Sequence, residues 1–109
     1  MINIEDFAKV EIKIGQIISA EKIEGSEKLL KLSVDFGEEA PRQVLSGIQK
    51  YIPEVSVLVG KKCSFVTNLE PREMMGLQSQ AMILAVSTND GKFSLLEPHG
   101  DIPPGTKAK

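Results

Sequence analysis

The clearest regularity in this chain has period two. Leu30, Leu32, Val34 and Phe36 alternate with Lys31, Ser33 and Asp35. Side chains of an extended strand point to opposite faces in turn, so this run predicts a strand with one buried and one wet face. Val10, Ile12 and Ile14 alternate with Glu11, Lys13 and Gly15 in the same way and predict an earlier strand running on to Ala20. Gly15 inside it predicts a bend or bulge. Further strands are predicted at Arg42–Ile48, Cys63–Thr67 and Leu77–Val86, with a short one at Phe93–Leu96 after the turn signal Asn89-Asp90-Gly91. Ile4, Phe7, Ala8 and Val10 carry helical spacing instead, with Asn3 as cap and Glu5 and Asp6 in the first turn. Such a turn is too short to stand alone and needs a packing partner. Residues 49–59 have the weakest periodicity; Pro53 limits them to one short helical turn. The tail from Pro98 to Lys109 is expected to be extended.

Five main strands, glycines at bends and little helix predict an all-β chain. The best match is a five-stranded Greek-key OB barrel with a short helix; a small sandwich is the alternative. The barrel would occupy about residues 10–88 of a single domain spanning 1–109, with extensions at about 1–9 and 89–109. Between the fourth and fifth strands lies Asn68–Met82. Pro71 and Gly76 predict a loop there, rich in donors (Arg72, Ser79, Gln80) and bearing Met74 and Met75.

Composition narrows the chemistry. The chain has 109 residues, 41% hydrophobic and 26% charged, which suits one soluble globular domain. No apolar run approaches a membrane span, and the N-terminus lacks signal-peptide features, so the expected location is cytoplasmic. A single cysteine, Cys63, sits in a strand pattern and reads as a core thiol. The lone His99, between Pro98 and Gly100, has no partner base nearby in sequence and reads as a turn residue. No paired cysteines, histidine cluster or phosphate-cradling glycine motif appears, so neither a metal, a cofactor nor catalysis is expected.

Thirteen basic residues stand against fifteen acidic ones, a net charge of −2. Bulk charge therefore does not advertise nucleic-acid binding; local clustering would have to. Lys28 and Lys31 bracket the start of the second strand, Arg42 opens the third, and Asn68 and Arg72 sit in the loop after the fourth. In an OB barrel these elements converge on one face, where the bases would form a phosphate stripe. The plain alternative is that outward lysines only solubilise the surface. Five aromatic residues and no tryptophan argue against a base-stacking platform.

Several blocks, in order, resemble a known family. They are Glu21-Lys22-Ile23-Glu24-Gly25-Ser26-Glu27-Lys28-Leu29-Leu30-Lys31-Leu32, Val44-Leu45-Ser46-Gly47-Ile48, Asn68-Leu69-Glu70-Pro71-Arg72 and Gly76-Leu77-Gln78-Ser79-Gln80-Ala81-Met82. Together they resemble the structure-specific tRNA-binding OB domain. That domain occurs as the C-terminal part or β subunit of methionyl-tRNA synthetases and as a free-standing tRNA-binding protein. The resemblance implies a non-catalytic homodimer that binds tRNA by shape, free-standing or acting in trans on a methionyl-tRNA synthetase catalytic chain. Met1 and the length favour a separate chain. The resemblance also implies that Ser79 and Met82 contact tRNA, while Ala81 replaces a common family glycine. It places the dimer contacts in the extensions, at Ile4, Phe7, Phe93 and Pro103. The alternative function is a secretion-associated peptide-binding chaperone of the same fold. The Ser26-Glu27-Lys28-Leu29-Leu30-Lys31 block argues against it, and Met74 and Met75 keep it open.

Overall fold

The computed structural model describes all residues from Met1 to Lys109. Its elements are helix α1 (Ile4–Phe7) and strands β1 (Ile12–Lys22), β2 (Leu30–Asp35), β3 (Arg42–Ser46), β4 (Lys62–Val66), β5 (Arg72–Met74), β6 (Leu77–Ser79), β7 (Met82–Ile83), β8 (Ala85–Ser87) and β9 (Phe93–Leu95). The principal sheet has the order β3-β2-β1-β4-β7, with antiparallel pairing throughout. The order 3-2-1-4 is that of a Greek key. β6 and β7 return against β3, so the sheet curls into a nearly closed OB-like barrel.

β2 follows its predicted alternation: Leu30, Leu32 and Val34 are fully buried, and Lys31, Ser33 and Asp35 lie half-exposed on the outer face. Phe36 continues the buried row and meets Phe65 of β4 edge to face, with ring centroids 5.1 Å apart. Val44, Ile17 and Leu58 complete the centre of the core. Cys63 is buried there, and desolvation pushes its thiol pKa up to about 12. The thiol is therefore an inert core group, as its position in a strand pattern predicts.

β1 departs from expectation. The expected bend at Gly15 is absent; the register shift falls between Ile17 and Ser19. The bulge turns both Ile18 and Ser19 outward, so Ile17 and Ala20, three residues apart, both meet the core. Gly15 serves close packing instead. A Cβ there would come within 2.6 Å of both Val34 Cγ1 and Phe36 Cε1. The glycine is a gap that Phe36 fills.

The N-terminal helix is the expected single turn, Ile4–Phe7, and Asn3 caps it, its Oδ1 accepting from the Asp6 N–H at 2.9 Å. Two other expectations need correction. Residues 49–59 hold two 3-10 turns, Gln49–Tyr51 and Val55–Leu58, and the second drives Leu58 into the barrel base. The expected loop of residues 68–82 contains a β-hairpin, β5–β6, and the expected single strand Leu77–Val86 is broken into β6, β7 and β8. The break is geometric. Gln80 bonds to β3, while Met82 and Ile83 pair with β4, so the chain must cross from one sheet edge to the other.

The tail is extended but not free. Gly105 N–H donates to Ile14 O (2.7 Å), Ile14 N–H to Thr106 O (2.9 Å) and Ala108 N–H to Ile12 O (2.8 Å). β2 pairs with β1 only from Gln16 onward, and the tail takes its place along the first half of β1. Gly105 makes this possible. Its φ is +91°, and a Cβ would collide with the Phe36 carbonyl oxygen.

Two stability predictions follow from the closure and the tail. Ser79→Ala leaves the buried Leu45 N–H, which donates to Ser79 Oγ at 3.0 Å, without its acceptor. It is expected to cost about 1–3 kcal/mol in denaturant unfolding; an unchanged midpoint would show that this bond does not hold the barrel shut. Gly105→Ala is expected to lose at least about 1–2 kcal/mol from the left-handed backbone alone. Wild-type stability in that variant would mean the tail does not pack as described.

Candidate nucleic-acid interface

The outer face of β1, β2 and β3 carries a polar groove of about 340 Å³. Its walls are the outward residues of the strands: Ser19 and Glu21 from β1, Lys31 and Ser33 from β2, Arg42 and Gln43 from β3, with Gln80 at the far rim. Strand register brings them together. Glu21 lies opposite Lys31 and Ser33 opposite both Ser19 and Gln43.

Lys31 Nζ pairs with Glu21 at 2.7 Å, with both side chains substantially exposed. An exposed pair of this kind holds weakly, so the ammonium is available to exchange its carboxylate for a phosphate. Arg42 differs. Its Nε and Nη2 clasp Glu38 at 2.9 and 2.7 Å, and its Nη1 donates to the carbonyls of Thr67 (2.7 Å) and Gln80 (3.3 Å). The guanidinium also lies over the Phe36 ring, 5.3 Å from its centroid. The Arg42 hydrogen bonds hold the Glu38 carboxyl below the usual carboxylate range, and Glu38 in turn raises the Arg42 pKa. Arg42 thus ties the start of β3 to the ends of β4 and β6, and acts on the groove chiefly as a fixed charge.

A second surface adjoins the groove across β3. Leu45, Leu69, Arg72, Met74 and Met82 line a cavity of about 80 Å³. Arg72 is exposed and without a carboxylate partner, as is Lys28 in the β1–β2 turn. The β5–β6 hairpin turns at Met75-Gly76, with Met75 itself in the left-handed region (φ 52°). The Met75 methyl lies 3.7 Å from the point where a Gly25 Cβ would sit, so the hairpin tip reaches the β1–β2 turn. Met82 is 45% exposed on β7.

Two expected contacts are engaged within the chain. Ser79 is buried; its hydroxyl accepts from the Leu45 N–H (3.0 Å) and donates to the Ala81 carbonyl (3.0 Å). Asn68 accepts from the Glu11 N–H (2.8 Å) and donates to the Lys9 carbonyl (2.6 Å), pinning the N-terminal segment to the end of β4. Nearby, the Glu11 carboxylate accepts from Thr67 Oγ1 at 2.6 Å, and this bond leads in holding its pKa low. Of the seven sequence-derived site residues, Lys28, Lys31, Arg72 and Met82 present themselves outward. Arg42, Ser79 and Asn68 shape the surface from behind. Residue type marked donors but not whether the chain itself would occupy them. Ser19, Ser33 and Gln43 join the groove beyond the sequence-derived site. Outward strand parity signals Ser33 and Gln43, whereas Ser19 faces out only because of the bulge, and Gln80, a donor by residue type, takes its place from the crossing after β6.

The extensions are mixed. In α1 no residue is buried; Ile4 is 72% and Phe7 49% exposed. Phe93 is half-buried and stacked on Tyr51, with ring centroids 4.4 Å apart. Pro103 is exposed.

Comparison with known proteins agrees with this geometry. The family described as "Putative tRNA binding domain" matches residues 12–107. A methionine–tRNA ligase of Caldanaerobacter subterraneus subsp. tengcongensis is 50% identical over 107 residues, covering 97% of this chain and 16% of that protein. One from Methanocella arvoryzae is 45% identical over 109 residues, covering 99% of this chain and 15% of that protein. The chain thus spans about a sixth of the length of these curated relatives. Among solved structures, a methionyl-tRNA-synthetase-related protein from Pyrococcus horikoshii superposes with a TM-score of 0.91 at 38% identity, over 100% of this chain and 98% of that one. The chaperone CsaA from Bacillus anthracis superposes at 0.87 with 30% identity, over 100% and 99%. With the family model matching residues 12–107, the chain belongs to the tRNA-binding domain family.

Proposed function

We propose that this chain binds tRNA, recognising its folded shape rather than its sequence, and that it does so without catalysing a reaction. The observation that carries this reading is the polar groove across β1, β2 and β3, with Lys31 held there by a weak exposed pair. Lys28 in the β1–β2 turn and Arg72 at the neighbouring cavity add two exposed cations without carboxylate partners. Folded RNA offers phosphates and 2′-hydroxyls on its outer surface, which is what such a groove addresses. The scarcity of exposed aromatic rings fits the same ligand, since stacking on splayed bases is not required. Arg42, Asn68 and Ser79 support the surface, and Met82 flanks it.

The functional unit in this reading is a homodimer. The exposed Ile4 and Phe7 of α1 need a partner, and a second copy supplies one together with the C-terminal region around Phe93 and Pro103. The protein would act free-standing or in trans on a methionyl-tRNA synthetase catalytic chain, in the cytoplasm.

A second reading, a peptide-binding chaperone, rests on the likeness to CsaA and on exposed Leu69, Met75 and Met82. A mobility-shift titration separates the two. Whole tRNA is expected to bind more tightly than a single-stranded RNA of equal length, and equal affinity would refute recognition by shape. Protection of an unfolding client with no tRNA shift would favour the chaperone.

The charged residues give a sharper outcome. Lys31→Glu and Arg72→Glu are each expected to weaken tRNA binding and to lower the slope of log affinity against log salt by about one. Unchanged affinity in Lys31→Glu would remove the groove from the interface, and unchanged affinity in Arg72→Glu would remove the neighbouring cavity from it.

A further inference from the structure

Two amides in the groove are fixed in an unusual way. Gln43 Nε2 donates to the Gln78 carbonyl at 2.9 Å, which leaves its Oε1 without a donor from the chain. Gln80 Oε1 accepts from the Gln43 N–H at 2.9 Å, which leaves its Nε2 without an acceptor. In each case a backbone group decides which end of the amide is which, because a flipped amide would set oxygen against oxygen or N–H against N–H. Both side chains line the same groove as Lys31. The chain therefore presents an immobilised acceptor and an immobilised donor beside a cation.

The acceptor is the informative half. A phosphate accepts hydrogen bonds and offers none, so it leaves an oriented carbonyl oxygen in the groove unused. A ligand that brings a donor as well uses both ends of the pair. A ribose 2′-hydroxyl is both donor and acceptor and sits beside the phosphates of RNA but not of DNA. It matches the pair: its hydrogen goes to Gln43 Oε1 and its oxygen receives Gln80 Nε2–H. Ser19 and Ser33, with hydroxyls of the same dual character, line the same floor.

We infer that Gln43 and Gln80 are specificity-determining residues that receive a ribose 2′-hydroxyl and so select RNA over DNA. This rests on the tRNA-binding reading above and adds to it the position at which the sugar is read. Lys31 supplies attraction common to both nucleic acids, and the amide pair supplies the difference.

The test compares affinities of the full chain for a tRNA and for DNA of the same sequence. Wild-type protein is expected to favour the tRNA by about tenfold or more, the scale of one well-made pair of hydrogen bonds. Gln43→Met keeps the side-chain length and removes the acceptor together with the Nε2–H bond to the Gln78 carbonyl; the loss of the acceptor shows in the RNA-to-DNA ratio, which is expected to shrink about fivefold. A merely structural role would lower both affinities together and leave the ratio untouched, which would overturn the inference. A second measurement leaves the protein unaltered. Wild-type protein is expected to bind a tRNA carrying 2′-O-methyl riboses more weakly than the unmodified one, because the methyl replaces the donated hydrogen. Equal binding of the two would likewise overturn it. A wild-type protein that favours tRNA over single-stranded RNA yet gives either overturning result sinks this inference alone. One that shows no preference for tRNA sinks the tRNA-binding reading and this inference with it.

Discussion

The structure depends on one join, where β3 meets the chain returning through Ser79 and Gln80. A five-stranded sheet in the order β3-β2-β1-β4-β7 leaves the outer edge of β3 without a strand. Its backbone groups at Gln43 and Leu45 need partners, because a buried unsatisfied N–H costs about as much as a whole net hydrogen bond gains. Side chains supply them. The Leu45 N–H goes to Ser79 Oγ and the Gln43 N–H to Gln80 Oε1, while the Gln80 N–H returns to the Gln43 carbonyl. A hydroxyl and an amide thus stand in for a strand at the point where the chain is crossing between edges. No buried side-chain nitrogen or oxygen is left without a partner.

That join also organises the surface. On one side of it lies the polar groove with Lys31, Gln43 and Gln80; on the other lies the small cavity under Arg72, Met74 and Met82. Arg42 spans it from β3 to the carbonyls of Thr67 and Gln80. The residues that close the barrel are therefore the residues that hold the candidate interface in shape. A ligand-binding surface built on bonds of the fold is rigid before the ligand arrives, which reduces the ordering that binding must impose.

Much of the fold was legible because burial imposes parity on a strand. Lys31 could be placed on the outer face from the Leu30–Phe36 alternation alone, and the capping of α1 by Asn3 followed from residue types. What was hidden depended on contacts distant in sequence. Gly15 looks the same whether it permits a bend or makes room for Phe36. The β5–β6 hairpin was masked by Pro71 and by Met75, which holds a left-handed position where Asn or Gly is usual. The pairing of residues 105–108 with β1 has no periodic signature, since only alternate backbone groups are used. At the site, Arg42, Asn68 and Ser79 were recognisable as donors or acceptors, but their partners, Glu38, Lys9, Glu11 and Leu45, were set by folding. Gln43 and Gln80 became visible only through the bond each makes at one end.

In the proposed function RNA docks on the face of β1, β2 and β3, which the Ser79–Gln80 join holds in shape. The most direct measurement is an NMR titration of the backbone amides with whole tRNA. The largest shifts are expected at Ser19, Lys31, Ser33, Gln43 and Gln80, with lesser ones at Lys28 and Arg72. Shifts confined to α1 and the β8–β9 hairpin, with the groove amides unmoved, would contradict that docking.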